Sequence, residues 1–135
     1  MADPKSVDID MAAVKALAAD LKMIRQRLAP AMRNATSASA MAIRNQARQN
    51  WKSQTTGSRT RKYPSTITMQ VTVSNASLVV AEVGPEKGGL GSFGHLFEFG
   101  NSKSPGKPHL IPAWEAQQEP YVLALALAAQ DAVLS

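Results

Sequence analysis

Three side chains able to do acid–base or metal chemistry lie near one another in the sequence: His95, Glu98 and His109. A His and a Glu three residues apart share a helix face and could hold a metal with a second His. The run His95-Leu96-Phe97-Glu98-Phe99, however, reads as a strand, where positions three apart face opposite sides. No metal site is expected, and these side chains are read as solvated or locally bonded. The glycine-rich segment from Gly84 to Gly94 has no Gly-Lys-Ser/Thr ending and no helix directly behind it, so it does not read as a phosphate loop. Serine is plentiful, but no GxSxG is present and neither histidine has an obvious nucleophile partner. Cysteine is absent, which excludes disulfides and thiolate chemistry. No catalytic, cofactor-binding or metal-ligating residue is assigned, and the chain is not read as an enzyme.

One other cluster could meet a ligand. Arg59, Arg61 and Lys62, followed by Tyr63, could lie against phosphates, since Lys and Arg supply sequence-independent affinity for a polyanion through counterion release. No stacking platform or nucleic-acid-binding motif accompanies them, so a solvated loop is the simpler reading and specific nucleic-acid binding is not expected.

The elements that must position these groups follow from periodicity. Ser6 is a candidate N-cap with Asp8 and Asp10 in the first turn, so a helix is expected to begin near Val7. Val14, Leu17, Leu21, Ile24 and Leu28 recur at spacings of three and four, an amphipathic stripe. Pro30 kinks or breaks this helix. A stripe of small residues, Ala31, Ala35, Ala38 and Ala42, then carries helical character to about Trp51. Residues 53–65 are polar and broken by Gly57 and Pro64, an exposed loop. Ile67, Met69, Val71 and Val73 alternate with polar residues, and after the turn residues 74–77 a second β-branched run extends to Val83, giving a β-hairpin. Residues 86–93 read as a flexible connection, residues 95–99 as a third strand, and Pro112 as the opening of a helix that Pro120 kinks or divides. That helix is apolar on every face, which suggests burial in the core or against another subunit.

The expected architecture is α+β: a long N-terminal helix kinked or broken at Pro30, a small antiparallel sheet with a β-hairpin, and a C-terminal helix. At 135 residues it makes one domain, 1–135, with a helical part (1–53), a basic loop (54–65), a hairpin and third strand (66–100), a Pro/Gly loop (101–111) and a C-terminal helix (112–135). Aromatics at 5% are few, so Ala, Leu, Val and Met must supply most of the core, and self-association would add burial. No secretory signal is visible in MADPKSVDID, and the longest apolar run, residues 121–129, is about half of the roughly 20 residues a membrane span needs. A soluble protein made in a cytoplasm is expected. Residues 1–63 hold 12 Lys/Arg against 4 Asp, a balance of +8, whereas residues 64–135 hold 3 Lys against 6 Asp/Glu, a balance of −3. Such halves could contact a polyanion or each other in a head-to-tail assembly.

The stretch 94–116, GHLFEFGNSKSPGKPHLIPAWEA, carries a resemblance. Phe97-Glu98-Phe99-Gly100-Asn101, then Pro105, Pro108, Leu110, Pro112 and Trp114, are similar to the Glu-Phe-Gly, Pro-x-x-Pro-hydrophobic, Pro-Ala pattern of one family. It is the minor tail or neck protein family of long-tailed bacteriophages, gene-product-ten-like of the HK-ninety-seven type, also called tail-completion or head-tail joining proteins. Members often carry an aromatic where this chain has His109 and an Arg near Ile111. The resemblance implies a virion protein in the neck or tail, assembled in the host cytoplasm. Its copies would form a ring and contact adaptor, stopper, terminator or tail-tube proteins, with the motif residues at subunit contacts. Glu98, if buried, would need a partner, expected to be a basic residue of the helices or of a neighbouring subunit. The alternative is a small basic DNA-binding protein using the N-terminal helices and the loop around Arg61.

Overall fold

The computed structural model describes residues 10–57 and 60–134. A 44-residue helix, α1 (Met11–Gln54), is about 66 Å long at 1.5 Å per residue. Asp10 caps it, its Oδ1 accepting the N–H groups of Ala12 and Ala13 at 3.0 and 3.3 Å. The expected start at Ser6, Val7 and Asp8 lies outside the described residues. α1 continues through Pro30, which stays exposed, and ends three residues beyond Trp51.

The hairpin forms where the alternation places it, with β1 (Ile67–Ser74) antiparallel to β2 (Val79–Pro85) and a bulge between Val71 and Val73. Its turn is closed by Asn75, whose Oδ1 accepts the N–H groups of Ser77 and Leu78. The sheet has these two strands alone among the described residues. The expected third strand is instead a short helix, α2 (Gly94–Phe99), entered through a 3₁₀ turn at Gly89–Phe93. Aromatic content favours a strand only where a pleated surface is available. Here Phe93 and Phe97 stack one helical turn apart, as do His95 and Phe99, with centroids at 6.1 and 5.1 Å. Gly94 is what lets α2 come so close: a Cβ there would lie 2.3 Å from Pro85 Cγ.

The last helix, α3 (Leu110–Leu134), begins two residues earlier than Pro112 and runs uninterrupted through Pro120. It lies antiparallel to α1. Asn50 Nδ2 donates to the His109 carbonyl, Thr36 and Tyr121 share a 2.8 Å hydroxyl bond, and Arg27 Nη1 donates to the Ala132 carbonyl at the far end. No helix among the described residues is long and apolar enough to cross a membrane.

The core is a small cluster at the C-terminal end of α1: Ala47, Trp51, Tyr63, Ile67 and Ala113, with Ile43, Val83, Leu90, Phe97 and Leu110 packed around it. Tyr63 and Pro64 therefore do not belong to an exposed loop. They are buried in a 3₁₀ turn (Tyr63–Thr66) leading into β1. The C-terminal helix is less covered than its composition suggests: Val122, Leu123, Leu127, Val133 and Leu134 are all exposed in the single chain.

Candidate functional site

The motif residues converge where α2 meets the start of α3. Gly100 ends α2 at φ +76°, its N–H donating to the Leu96 carbonyl, and a Cβ on it would lie 2.3 Å from the Gly106 nitrogen. The chain then doubles back. Asn101 Oδ1 accepts the N–H groups of Lys103 and Ser104, Gly100 bridges to Pro105, and the Lys107 N–H donates to the Phe97 carbonyl. This tight turn delivers His109 beside Glu98.

Glu98 is almost fully buried, and its partners are not the basic side chains expected of it. Oε2 accepts the N–H groups of His109 and Leu110 at 2.8 and 3.0 Å, and Oε1 that of Ile111 at 2.8 Å. A helix leaves four N–H groups without internal acceptors. At the head of α3 three of them are taken by this one carboxylate, and the fourth position is Pro112, which has none. That explains why the helix starts at Leu110: an acceptor from a separate element caps it, and the negative charge complements the helix dipole. Burial alone raises the Glu98 carboxyl. The N–H groups of Ile111, His109 and Leu110, and the adjacent His109, outweigh this and hold it below the usual carboxylate value.

His109 is fully buried and links the cap to the core. Its Nδ1 lies 2.8 Å from both the Lys107 carbonyl and Glu98 Oε2, two acceptors, so Nδ1 carries a proton. In the neutral ring Nε2 is then the acceptor, and the Tyr63 hydroxyl donates to it at 2.8 Å. Burial, with the Glu98 charge adding to it, pushes the Tyr63 hydroxyl up to about 12. Trp51, Tyr63, Phe97 and His109 pack around this chain with centroids 4.7–5.3 Å apart, edge-on except for the tilted Trp51–Phe97 pair.

A hydroxyl, an imidazole and a carboxylate in sequence have the outline of a nucleophile relay, but all three are buried, and the carboxylate is spent on backbone amides. Through these bonds the set joins α2 and α3 to the core. His95 points elsewhere: it is exposed and stacks on Phe99, and no three His, Cys, Asp or Glu gather around a metal-sized space among the described residues. The helical form of α2 removes the strand argument against a His95–Glu98 pair. What separates them is that Glu98 is already engaged.

Of the motif residues, Glu98 is buried, Phe97, Gly100, Leu110 and Pro112 are half-buried, and Phe99, Pro105, Pro108 and Trp114 are exposed. Arg61 and Lys62 are exposed, and Arg59 lies outside the described residues. The sequence reading named His109 beside Glu98, as a metal set that it set aside in favour of solvated or locally bonded side chains, and missed Tyr63, which it placed in the basic loop. Tyr63-Pro64, an aromatic-proline pair directly after a basic run, was the available signal. Between α1, β2 and α3 a groove of about 480 Å³ opens, lined by Ile43, Val80, Val83, Leu110, Trp114 and Tyr121 among others.

Comparison of the chain with protein-family models, curated proteins and solved structures finds no match.

Proposed function

We propose that this chain is a structural virion protein of a tailed phage, a ring-forming subunit of the head–tail junction or tail end that takes part in tail completion or head–tail joining. One observation carries the reading beyond the resemblance of residues 94–116. The ionisable groups of that stretch which are buried are consumed by one another and by backbone, while Phe99, Pro105, Pro108 and Trp114 face outward on the backbone they stiffen. Substrate turnover needs a reactive group that solvent can reach, whereas a joint between proteins needs a firm backbone with contact side chains outside. Its partners would be identical subunits and neck or tail proteins such as an adaptor, stopper, terminator or tail tube. Immunogold labelling of purified particles with antibody to this chain tests the reading: label at the neck or tail end is expected, and particles free of the protein would overturn it.

A second reading, a small basic DNA-binding protein, is favoured by Lys52 and Arg61 lining one cleft of about 370 Å³, with exposed Lys62 next to Arg61. Three such contacts would give a gel-shift affinity falling with a log–log salt slope of roughly −3. Absence of a shift at low salt excludes it.

A further inference from the structure

One buried donor in the core has no acceptor. The Trp51 indole Nε1–H makes no hydrogen bond, although Tyr63, Phe97 and His109 surround its ring. An indole N–H can only donate, and a buried donor left unpaired is destabilising, so this group marks a place where an acceptor belongs. Trp51 is also a wall shared by two clefts at the end of α1. Trp51, Thr55, Gly57 and Thr60 line both of them. The larger, of about 370 Å³, adds Lys52 and Arg61, and the smaller, of about 280 Å³, adds Asn101, Ser104 and Lys107 from the turn that follows α2.

The charge lining these clefts has one sign. Lys52, Arg61 and Lys107 are exposed, and none of them makes an ion pair among the described residues. No Asp or Glu lines either cleft. Glu98, which follows Phe97 in the chain, spends its oxygens on the head of α3. The Thr60 hydroxyl has no hydrogen bond among the described residues either, a further donor at the shared wall. We infer that the two clefts form one site for a phosphate group, with Lys52, Arg61 and Lys107 supplying the charge and the Trp51 indole and the Thr60 hydroxyl donating to its oxygens. A water or a carbonyl group would satisfy the indole and leave the cations unmatched, whereas a phosphate brings several strong acceptor oxygens together with close to two negative charges. α1 presents its carbonyl end here, so the attraction comes from the side chains and not from a helix dipole. The phosphate can belong to a nucleic-acid backbone or be free in solution, and the test separates the two. The site goes beyond the virion reading and does not depend on it.

The chain has two tryptophans, and Trp114, which lines neither cleft, can be replaced to identify the Trp51 indole resonance by NMR. Inorganic phosphate exchanged for chloride at constant ionic strength is expected to move the Trp51 Nε1–H proton of the wild-type chain downfield along a saturable curve, as a new hydrogen bond does. Arg61→Gln and Lys107→Gln, both at exposed positions, are each expected to weaken this binding by about tenfold, the loss of one charge-assisted contact, with the indole resonance of the phosphate-free protein unmoved. No shift with phosphate, a shift that chloride alone reproduces, or variants that bind like wild type would each overturn the site. A short DNA duplex that competes with phosphate for the same resonance supports the site with a nucleic-acid phosphate as its ligand. A duplex that leaves the resonance unmoved while phosphate shifts it supports the site with a free phosphate. Failure of the immunogold labelling removes the virion reading and leaves this site in place.

Discussion

Glu98 and His109, eleven residues apart, touch twice: the Glu98 carboxylate accepts the His109 backbone N–H at 2.8 Å and lies 2.8 Å from the imidazole Nδ1. Backbone and side chain of one residue are thus anchored to the same oxygen, Oε2, which also takes the Leu110 N–H. The start of α3 is fixed in position and direction by a side chain from another helix.

Glu98→Gln keeps the shape but replaces one acceptor oxygen with a donor that faces the amides of α3. At least one buried N–H then loses its partner and the dipole loses its counter-charge. A loss of about 2–4 kcal/mol is expected in urea unfolding, near the upper end for a helix cap because the acceptor is charged and buried. A loss under about 1 kcal/mol would show that the cap contributes little.

The same carboxylate makes the fold acid-sensitive. Its folded value lies below its unfolded one, so its contribution is complete above about 4.3, the unfolded value, and is lost as pH falls through the lower folded value. The gap in melting temperature between wild type and Glu98→Gln should therefore be widest above pH 5 and narrow steadily below pH 4. A gap independent of pH would contradict the assignment.

Tyr63 reports at the other extreme. With its hydroxyl pushed up to about 12 in the fold, against about 10 unfolded, the unfolded chain releases its proton first as pH rises. Stability credited to the neutral hydroxyl is whole below pH 10 and drains between 10 and 12 at up to roughly 1.4 kcal/mol per pH unit. Tyr63→Phe should cost about 1–2 kcal/mol at pH 7, by leaving His109 Nε2 without its donor, and should lack this alkaline loss. Parallel alkaline melts of the two proteins decide it.

Pro30 sits inside α1 with its ring exposed. A proline in a helix interior forfeits a hydrogen bond and costs up to about 3 kcal/mol relative to Ala. Pro30→Ala should stabilise by about 1–3 kcal/mol in thermal unfolding. A lower melting temperature would mean that the backbone geometry at Pro30 is needed for α1 to pack on α3 and the hairpin.

The parts legible in the sequence are those whose signal is local. The period-two run from Ile67 to Val73 and the Asn75 turn mark the hairpin, and the spacing of Val14 to Leu28 marks α1. The α2 helix is not legible, because aromatic residues at 95–99 favour a strand until the Gly94 contact with Pro85 and the stack of Phe93 on Phe97 are known. Likewise, Pro112 marks a helix start within the segment, while the true start at Leu110 depends on Glu98, whose oxygens reach Ile111 only through the fold. Tyr63 reads as loop from its basic neighbours because the core that receives it, Trp51 and Ile67, approaches from both sides in sequence.

The bond between Arg27 and the Ala132 carbonyl closes a span of 105 residues. On the ribosome α1 is finished early, yet the helix that covers its face between Arg27 and Asn50 emerges only after the hairpin and α2. Throughout synthesis that face stays open to solvent and to neighbouring nascent chains. Slow, non-local closure of this kind is the step at which a chain is caught by chaperones or lost to aggregation. Formation of α1 therefore does not complete the fold by itself, because its inner face waits for α3.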